Sequence, residues 1–526
     1  MAAPLRHPLT TGLSLLAAGI IGFPILPGLY NCVQALASPP GWGLLLGEAQ
    51  LPRALAATLI STLVALGGAL LLVLVIVSAS WPGPRWQRQL RQLPWLLAVP
   101  HLAVASALLL LFSDGGWLSR IWPAYHSIAD PWGLGMGLVL ALKEGGFLLW
   151  VTAGLIGREE VAPRMMAART LGYRPWQAVI LAVVPGLLPA LVPTLLASAA
   201  WSLSVVDVAL VIGPGNPPTL AVLSWQWLND ADPARQQAGL LVALLLVLLL
   251  AGLSLLGWLL WRLFCRCSTH PGGKRRRDII PVIGPLGGGI ITSVTWLALA
   301  ILAVTSLVVP FSASLAVSLT AWQWLDLRPL YNTLIIGLLS SAIGGVVSLL
   351  WLYSGLSRVS RLLWLPLVLP ALPLISGQYH TLLAIGLDGQ LAGVIWSHLL
   401  WVLPWMLMVL QPAWRAIDPR LALTARTLGW GSARRFWRLT LPLMLRPLLT
   451  AFAIGFSVSV AQYLSTLYNG GGRIPTLTTE AVALSSGGDV QRQSGQALLL
   501  ALLPLALFLL SAALRRWQAR RRQGVL

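Results

Sequence analysis

Residues 240–250 read LLVALLLVLLL, which is the centre of a longer apolar stretch at 236–261. A membrane-spanning β-strand alternates apolar and polar residues over about ten positions, and this run does not alternate. A helix needs roughly 20 mostly apolar residues to cross a bilayer, and the longer stretch supplies them. The segment is therefore predicted to be a transmembrane α-helix.

The rest of the chain has the same character. Of its 526 residues, 57% are hydrophobic and only 10% are charged, whereas a soluble domain carries about 25% charged residues. Twelve stretches are long and apolar enough to span a membrane: 11–31, 54–79, 92–113, 132–156, 187–212, 236–261, 288–310, 331–354, 362–385, 390–411, 443–467 and 494–514. We predict an all-α polytopic membrane protein with about 12 transmembrane helices.

The distribution of basic residues predicts the topology. The chain has a net charge of +20. If the N-terminus is cytoplasmic, most Lys and Arg fall in cytoplasmic segments, as the positive-inside rule requires. The opposite side then holds only Arg53, Arg120, Arg235, Arg328, Arg473 and Arg492. Both termini are therefore expected in the cytoplasm. The basic runs at 274–277 and 515–522 are interpreted as anchors near anionic lipid, so we expect the bilayer and not nucleic acid as their partner.

The most informative feature is an internal repeat. The sequence ARTLG at 168–172 recurs at 425–429, an offset of 257 residues. The tripeptide Pro-Thr-Leu at 218–220 recurs at 475–477 with the same offset. Each copy of ARTLG follows the fourth predicted span of its half, so the halves have the same orientation. Parallel repeats of this kind place a substrate pathway between the halves.

The repeat predicts two equivalent units of six helices. A segment rich in basic residues, Pro and Gly separates them and is interpreted as a linker. The predicted divisions are 1–261 for the first repeat, 262–287 for the cytoplasmic linker, 288–514 for the second repeat and 515–526 for a basic cytoplasmic tail.

The repeated loops, at about 158–185 and 415–442, are predicted to be surface elements. A short helix precedes each of Gly172 and Gly429, which stand where glycine favours the left-handed cap conformation. An amphipathic element follows, and Pro185 and Pro442 are expected to begin the next spans. A rigid surface helix with small residues fits a groove on another protein. An interfacial helix without a partner is the alternative.

These loops resemble the coupling loop of the permeases of binding-protein-dependent ABC importers. That pattern is Glu-Ala-Ala, three residues, Gly, and then a hydrophobic segment that ends in Pro. The matching residues are Ala167, Ala168, Gly172 and Pro185 in the first loop, and Thr424, Ala425, Gly429 and Pro442 in the second. Met166 and Leu423 occupy the place of the Glu, which puts its polar contacts to the ATPase in doubt.

With both halves in one chain, the sequence is similar to the fused permeases of ferric iron and thiamine importers. The resemblance implies a type I ABC importer permease fold in a bacterial inner membrane. It further implies two copies of a cytoplasmic ABC ATPase, one per loop, and a periplasmic solute-binding protein. Its expected cargo is a small solute: a metal ion, a thiamine-like compound or another small molecule. The sequence does not distinguish among these.

The sequence offers no nucleotide-binding motif. Its one Gly-Lys pair, at 273–274, lacks the spaced upstream Gly and the following Ser or Thr of a phosphate-binding loop. We therefore predict that this chain is not an enzyme, has no catalytic residues and binds no cofactor, and that ATP and magnesium bind to the partner ATPase. The pair Cys265 and Cys267 with His270 is half a metal site without a second pair, so no metal site is predicted.

Ionisable and polar residues inside spans are costly and are functional candidates by default. The candidates for a substrate path are Lys143, Glu144, Asp207, His398 and Gln462. Lys143 and Glu144 are adjacent, so they point about 100° apart on a helix and reach different partners. The alternative role for all five is hydrogen bonding between helices that fixes their packing.

The sequence is less compatible with two other classes of function. A secondary transporter of the major-facilitator kind also has six plus six parallel helices. Its usual signature is a repeated loop between the second and third spans, and here the loops at 82–92 and 355–361 do not repeat. A polytopic membrane enzyme would need clustered His, Asp or Glu, and the six His of this chain are scattered.

Overall fold

The computed structural model describes residues 8–124, 130–157, 160–267, 280–309, 317–323, 326–356, 362–487 and 489–523. These residues form helices joined by short turns, and no β-strand occurs among them. Residues 268–279 of the predicted linker, including the Gly-Lys pair and His270, lie outside the described residues. So do the first residues of the first repeated loop, at 158–159, and the end of the tail, at 524–526.

The first half consists of fourteen α-helices within its described residues, and one π-turn precedes α11. The elements are α1 (Pro8–Gly22), α2 (Ile25–Leu36), α3 (Pro39–Gly47), α4 (Leu51–Ser80), α5 (Pro84–Ala98), α6 (His101–Phe112), α7 (Trp117–Ile121), α8 (Leu134–Ile156), α9 (Val161–Thr170), α10 (Pro175–Ala178), the π-turn Val179–Val183, α11 (Val184–Ser204), α12 (Asp207–Ile212), α13 (Leu220–Leu228) and α14 (Pro233–Cys267).

The described part of the second half repeats much of this order. Its elements are α15 (Ile280–Thr305), α16 (Thr320–Gln323), α17 (Arg328–Tyr353), the 3-10 turn Leu362–Trp364, α18 (Leu365–Val368), α19 (Ala371–Ile385), α20 (Leu391–Arg415), α21 (Pro419–Thr427), α22 (Ser432–Arg435), the π-turn Phe436–Thr440, α23 (Leu441–Val460), α24 (Leu464–Gly470), α25 (Leu477–Ser485) and α26 (Val490–Gln523).

Ten helices are long and apolar enough to cross a membrane within the residues that the structure describes. The predicted count of about twelve is therefore not confirmed. One of the two remaining stretches, 288–310, is represented by the shorter apolar helix Gly289–Thr305. The other, 362–385, is divided between α18 and α19 because the chain breaks at Leu369 and Pro370.

The same break occurs in the first half, between α5 and α6. Val99 and Pro100 are extended there, with ψ angles of 121° and 153°. Proline lacks the N–H of a helical residue and disfavours the helical conformation of the residue before it. The third predicted span of each half is thus two shorter helices whose ends meet inside the protein.

Small residues bring α4 and α8 into close contact. A Cβ atom added to Gly137 would lie 2.9 Å from the carbonyl oxygen of Ser61, and one added to Gly68 would lie 2.7 Å from the Ala141 Cβ. Small residues at this spacing let two helix backbones approach, which is how helices associate in lipid. The two helices form the closely packed centre of the first half.

The two halves exchange their first helices. Helix α2 packs on α19 of the second half, and α15 packs on α4 and α6 of the first half. The crossing of α2 and α19 is so close that a Cβ on Gly28 or on Gly377 would collide with the opposite backbone. One buried hydrophobic cluster therefore contains residues of both halves.

One long-range hydrogen bond recurs in both halves. The Leu220 N–H donates to Thr58 Oγ1 at 2.8 Å, and the Leu477 N–H donates to Thr333 Oγ1 at 2.9 Å. Leu220 and Leu477 are separated by the same 257 residues as the sequence repeat. The bond ties the start of α13 or α25 to the second predicted span of its own half.

Candidate functional site

The first repeated loop is a helix that ends in a left-handed glycine. Helix α9 stops at Thr170, and Gly172 has φ of 90°. The Tyr173 N–H donates to the Ala168 carbonyl at 3.1 Å, and the Gly172 N–H donates to the Arg169 carbonyl at 3.0 Å. This pair of bonds is the Schellman motif, which satisfies carbonyls that the end of a helix would otherwise leave unpaired.

The second loop has the same backbone. Gly429 has φ of 76° after α21. The Trp430 N–H donates to the Ala425 carbonyl at 2.9 Å, and the Gly429 N–H donates to the Arg426 carbonyl at 2.8 Å. Each donor and acceptor is 257 residues from its counterpart in the first loop. The repeated sequence therefore builds one repeated turn.

A π-turn follows each Schellman turn and precedes a proline. Val179–Val183 leads to Pro185, and Phe436–Thr440 leads to Pro442. As expected, each proline stands at the start of a long α-helix, Pro185 in α11 and Pro442 in α23. The π-turn joins each long helix to the short helix before it, so the continuous helical runs are Pro175–Ser204 and Ser432–Val460. A π-turn is wider than an α-turn and accommodates a proline ring and its missing N–H.

The predicted docking residues differ in burial in a regular way. Ala168 and Ala425 are buried against the protein, while Ala167 and Thr424 are exposed. Large apolar side chains are exposed at the same two places in each loop: Met166 and Leu171 in the first loop, Leu423 and Leu428 in the second. Leu171 is 72% exposed and Leu428 is 67% exposed. Each loop therefore presents an apolar surface at the same place.

A cavity of about 190 Å³ lies between the two halves. The first half contributes to its wall from the break before α6 and from α8 and α11. The second half contributes from α18, α20 and α23. Of the predicted path residues, Lys143, Glu144 and Gln462 line it. The structure thus brings these three together on one cavity that both halves form.

Glu144 is the carboxylate of this cavity. Its Oε1 atom is 3.2 Å from His101 Nε2, and its Oε2 atom accepts a hydrogen bond of 2.5 Å from Ser198 Oγ. The His101 ring in turn packs against Trp201, with their centroids 5.8 Å apart. Sequence reasoning missed His101, Ser198 and Trp201, because each is brought to Glu144 by helices distant in sequence.

Lys143 points to a different partner. Its Nζ atom donates to the carbonyl of Leu96 at 2.7 Å and to the carbonyl of Val99 at 2.5 Å. The Leu96 carbonyl is the one that Pro100 leaves without its helical N–H donor. The lysine therefore supplies hydrogen bonds to the carbonyl groups at the end of α5. Its counterpart in the second half, at the repeat offset, is Leu400.

The other two candidates lie away from the cavity wall. His398 is buried in α20, where Nδ1 is 2.8 Å from Ser459 Oγ and Nε2 is 3.0 Å from Thr466 Oγ1. Asp207 is buried at the start of α12, just after the break that follows α11. Gln462 lies at the corresponding break between α23 and α24. Only Gln462 of this pair faces the cavity.

Comparison with known proteins gives the family. Residues 282–524 match the profile of the binding-protein-dependent transport system inner membrane component. The whole chain is 46% identical over 529 aligned residues to the inner membrane ABC transporter permease protein YnjC of Escherichia coli K12, and the alignment covers 100% of both chains. The chain belongs to the inner membrane permeases of ABC transporters. Multi-pass placement in the inner membrane follows from this membership and from the apolar helices.

Two further permeases match about a third of the chain. The molybdenum transport system permease protein ModB of Haemophilus influenzae is 26% identical over 190 residues, which is 32% of this chain and 80% of the relative. The spermidine/putrescine transport system permease protein PotC homolog of Mycoplasma genitalium is 23% identical over 170 residues, 30% of this chain and 60% of the relative. These matches give no support to the major-facilitator alternative.

Membership defines the general role of the chain. An ABC permease that depends on a binding protein imports a solute with the help of an ABC ATPase and a solute-binding protein. The permease itself is the membrane component. The helical fold, the apolar spans and the cavity between the halves are consistent with that role.

Proposed function

We propose that this chain forms the complete membrane pathway of an ABC importer, with one ATPase subunit docked on each repeated loop. The observation that carries the proposal is the pair of identical Schellman turns, each flanked by exposed apolar side chains. A homodimeric ATPase presents the same groove twice. One chain with two copies of one turn matches that symmetry.

The docking surface of each loop is apolar. Leu171 and Leu428 follow the helix ends, and Met166 and Leu423 stand where the related pattern has Glu. Burying a leucine or methionine side chain contributes about 1.5–3 kcal/mol. Two such side chains on each loop supply a substantial part of a docking energy without the Glu.

ATP and magnesium bind to the partner in this proposal, and the chain itself catalyses no hydrolysis. Closure of the ATPase dimer around ATP brings the two loops together and changes which side of the membrane the cavity faces. ATP can do this only if it binds one of the two arrangements more tightly than the other. The exchanged first helices join the halves so that they move as one pathway.

Both termini and both repeated loops are placed in the cytoplasm. The distribution of Lys and Arg in the sequence supports this orientation. The division into a first repeat at 1–261 and a second at 288–514, joined by the linker 262–287 and followed by the tail 515–526, is supported by the recurrence of turns, proline breaks and the threonine bond.

The path is assigned to the cavity, with Glu144 and Gln462 facing the substrate and Lys143 fixing the end of α5. The bonds of His398 to two hydroxyl groups support a packing role for that residue. The related permeases are named for molybdenum and for spermidine and putrescine. We accordingly assign a small solute, whether metal ion, thiamine-like compound or other small molecule.

The test is a pull-down of the tagged full chain from native membranes, with partners identified by mass spectrometry. The expected partners are an ABC ATPase and a periplasmic binding protein. The double variant Leu171→Asp/Leu428→Asp places charges on both docking surfaces and is expected to lose the ATPase. Gln87→Asp, an exposed change on α5, is the matched control and retains it. Equal recovery of ATPase with the double variant and the control contradicts the proposal.

A further inference from the structure

Two long helices of the second half, α23 and α26, hold an arginine between them. Arg515 Nη1 donates to Thr450 Oγ1 at 3.0 Å, and Arg515 Nε donates to the Ser511 carbonyl at 3.3 Å. Ser511 Oγ donates to the Leu449 carbonyl at 3.2 Å, so the two helices are bonded to each other here. The α23–α26 groove is the surface formed by Arg446, Thr450, Ser511, Leu514 and Arg515.

The guanidinium of Arg515 is directed towards the membrane interior. Side chains of an α-helix tilt towards its N-terminus, and α26 runs towards the cytoplasm in the proposed topology. The Thr450 hydroxyl that accepts from Arg515 lies inside the predicted span 443–467. An arginine that only anchors the end of a helix extends its charge to water. The charge of Arg515 is instead held at the level of the bilayer.

The positive charge of the groove has no acidic partner within the described residues. Both bonds of Arg515 go to neutral oxygens, and three of its five N–H donors are left for a ligand. Arg446 lies one turn before Thr450 on α23, and the ion pairs of the described residues include neither arginine. The sequence has no Asp or Glu at 419–479 or at 490–526. Because charge at membrane depth is costly, the groove calls for an anion.

The surface around the groove is apolar. Leu443 of α23 and Leu510 and Leu514 of α26 are exposed on helices long enough to cross the membrane. Trp437 and Trp517 are exposed at the same end of these helices, and indole rings concentrate at the interface between lipid and water. A phospholipid fits both properties, with its phosphate at the arginines and its acyl chains along the leucines. A small anion from solution would gain nothing from the leucines.

The first half lacks these residues. At the repeat offset of 257, the two arginines and the threonine are replaced by Pro189, Pro193 and Trp258. The end of α14, which is the counterpart of α26, carries Arg262 and Arg266, and both are exposed. Arg262 lies over the Trp258 ring, 4.1 Å from its centroid. The repeat therefore supplies a matched helix end that has two arginines but no threonine to hold one of them between helices.

We propose that the α23–α26 groove binds the phosphate of an anionic phospholipid, with Arg446 and Arg515 as its counter-charges. A basic run that is merely attracted to lipid needs no fixed geometry, whereas this site depends on two arginines and one threonine from two helices. The bound lipid lies beside the start of α23, which continues from the second repeated loop. The proposal concerns the surface that faces lipid and does not depend on which solute crosses the cavity.

The test is native mass spectrometry of the full-length chain in dodecyl maltoside. Dioleoyl phosphatidylglycerol and dioleoyl phosphatidylcholine are added in equal amounts, so that the acyl chains match and only the headgroup charge differs. We expect bound phosphatidylglycerol to exceed bound phosphatidylcholine by about tenfold or more, because two arginines contribute to the difference. Excess inorganic phosphate should leave the bound phosphatidylglycerol in place.

Three variants assign the preference to the groove. Arg446→Gln/Arg515→Gln should lower it by about tenfold or more. The matched control Arg262→Gln/Arg266→Gln removes two arginines from the end of α14 and should change it by less than about twofold. Thr450→Val keeps both charges of the groove but removes the hydroxyl that holds Arg515, and should lower the preference by about threefold or more. This last variant decides the matter if the double variant does not yield a folded chain.

Four results overturn the proposal. Equal binding of the two lipids would show that the groove does not select an anionic headgroup. Equal losses in the groove variant and the α14 control would reduce the effect to general attraction between basic residues and lipid. An unchanged preference in Thr450→Val would remove the role of the fixed arginine, and displacement by inorganic phosphate would assign the groove to a soluble anion. The permease proposal is judged separately, by recovery of the ATPase in the pull-down.

Discussion

The two repeated loops have the same backbone conformation but different surroundings. Both end a short helix in a left-handed glycine, and both continue through a π-turn into a long helix. In the first loop, Val161, Met165 and Ala168 are buried in a hydrophobic cluster. In the second loop, only Ala425 of α21 is buried. The shared turn is therefore attached to the protein much more firmly in one half than in the other.

The difference arises from what covers each loop. Helix α5, with its buried Trp86 and Leu93, belongs to the same cluster as the first loop. The second loop contacts Tyr353 at the end of α17, whose ring packs edge-on against Phe436 with centroids 5.5 Å apart. The repeated sequence thus specifies the turn, while elements outside the repeat determine how extensively each turn is packed against the protein. We expect the firmly held loop to act as a fixed arm and the other to be ordered further by the ATPase.

The largest effect that separates the loops is expected at Met165. Its side chain is 0% exposed in the first-loop cluster. Met165→Ala leaves a cavity, so it should lower the free energy of unfolding by about 2–5 kcal/mol. The thermal unfolding midpoint of the full chain in nanodiscs measures this. Leu423→Ala in the second loop, an exposed position, is the control and should change stability by less than about 0.5 kcal/mol. Similar losses in both variants would mean that the loops are equally supported.

A smaller effect, equal in both loops, is expected at the glycines. Gly172 and Gly429 have positive φ, where a side chain costs about 1–2 kcal/mol. Gly172→Ala and Gly429→Ala should therefore destabilise their turns by similar amounts. Gly252→Ala, in the middle of α14 with open space around it, is the control and should be neutral or stabilising. Thermal midpoints of the three variants test this, and a harmless change at either loop glycine would show that the left-handed turn is not required there.

The smallest expected effect is a difference in local unfolding between α9 and α21. The amides of α9 lie over a buried cluster, and those of α21 do not. Hydrogen exchange of the full chain in nanodiscs should therefore be about tenfold or more faster in α21 than in α9. Addition of the ATPase should slow α21 more than α9, because docking covers the less supported loop. Equal rates in the two helices without ATPase would contradict the unequal support.

Much of the fold follows from the sequence. Apolar stretches without alternation predict membrane helices, and ten of the described helices are long and apolar enough to cross a membrane. The predicted span 362–385 is two helices instead of one, and its sequence explains the break, because Pro370 cannot continue a helix. The left-handed turns at Gly172 and Gly429 were predictable because a helix end is decided by the residues next to it.

The sequence determined less of the site. The divergence of Lys143 and Glu144 follows from helix geometry, but their partners do not, since Leu96, His101 and Ser198 lie on other helices. The path residues looked equivalent in sequence, yet Gln462 faces the cavity and Asp207 does not. Position along a helix fixes a direction, and only the neighbouring helices decide what lies in that direction.

The sequence alone determined the membrane class, the two-fold repetition and the shape of the loop turns. Each of these depends on composition or on interactions between residues close in the chain. Only the tertiary structure decided that the halves exchange their first helices and that the cavity between them is lined by Glu144 of the first half. It also decided that the two repeated turns are unequally buried. These properties depend on contacts between residues far apart in sequence, and a local pattern carries no record of them.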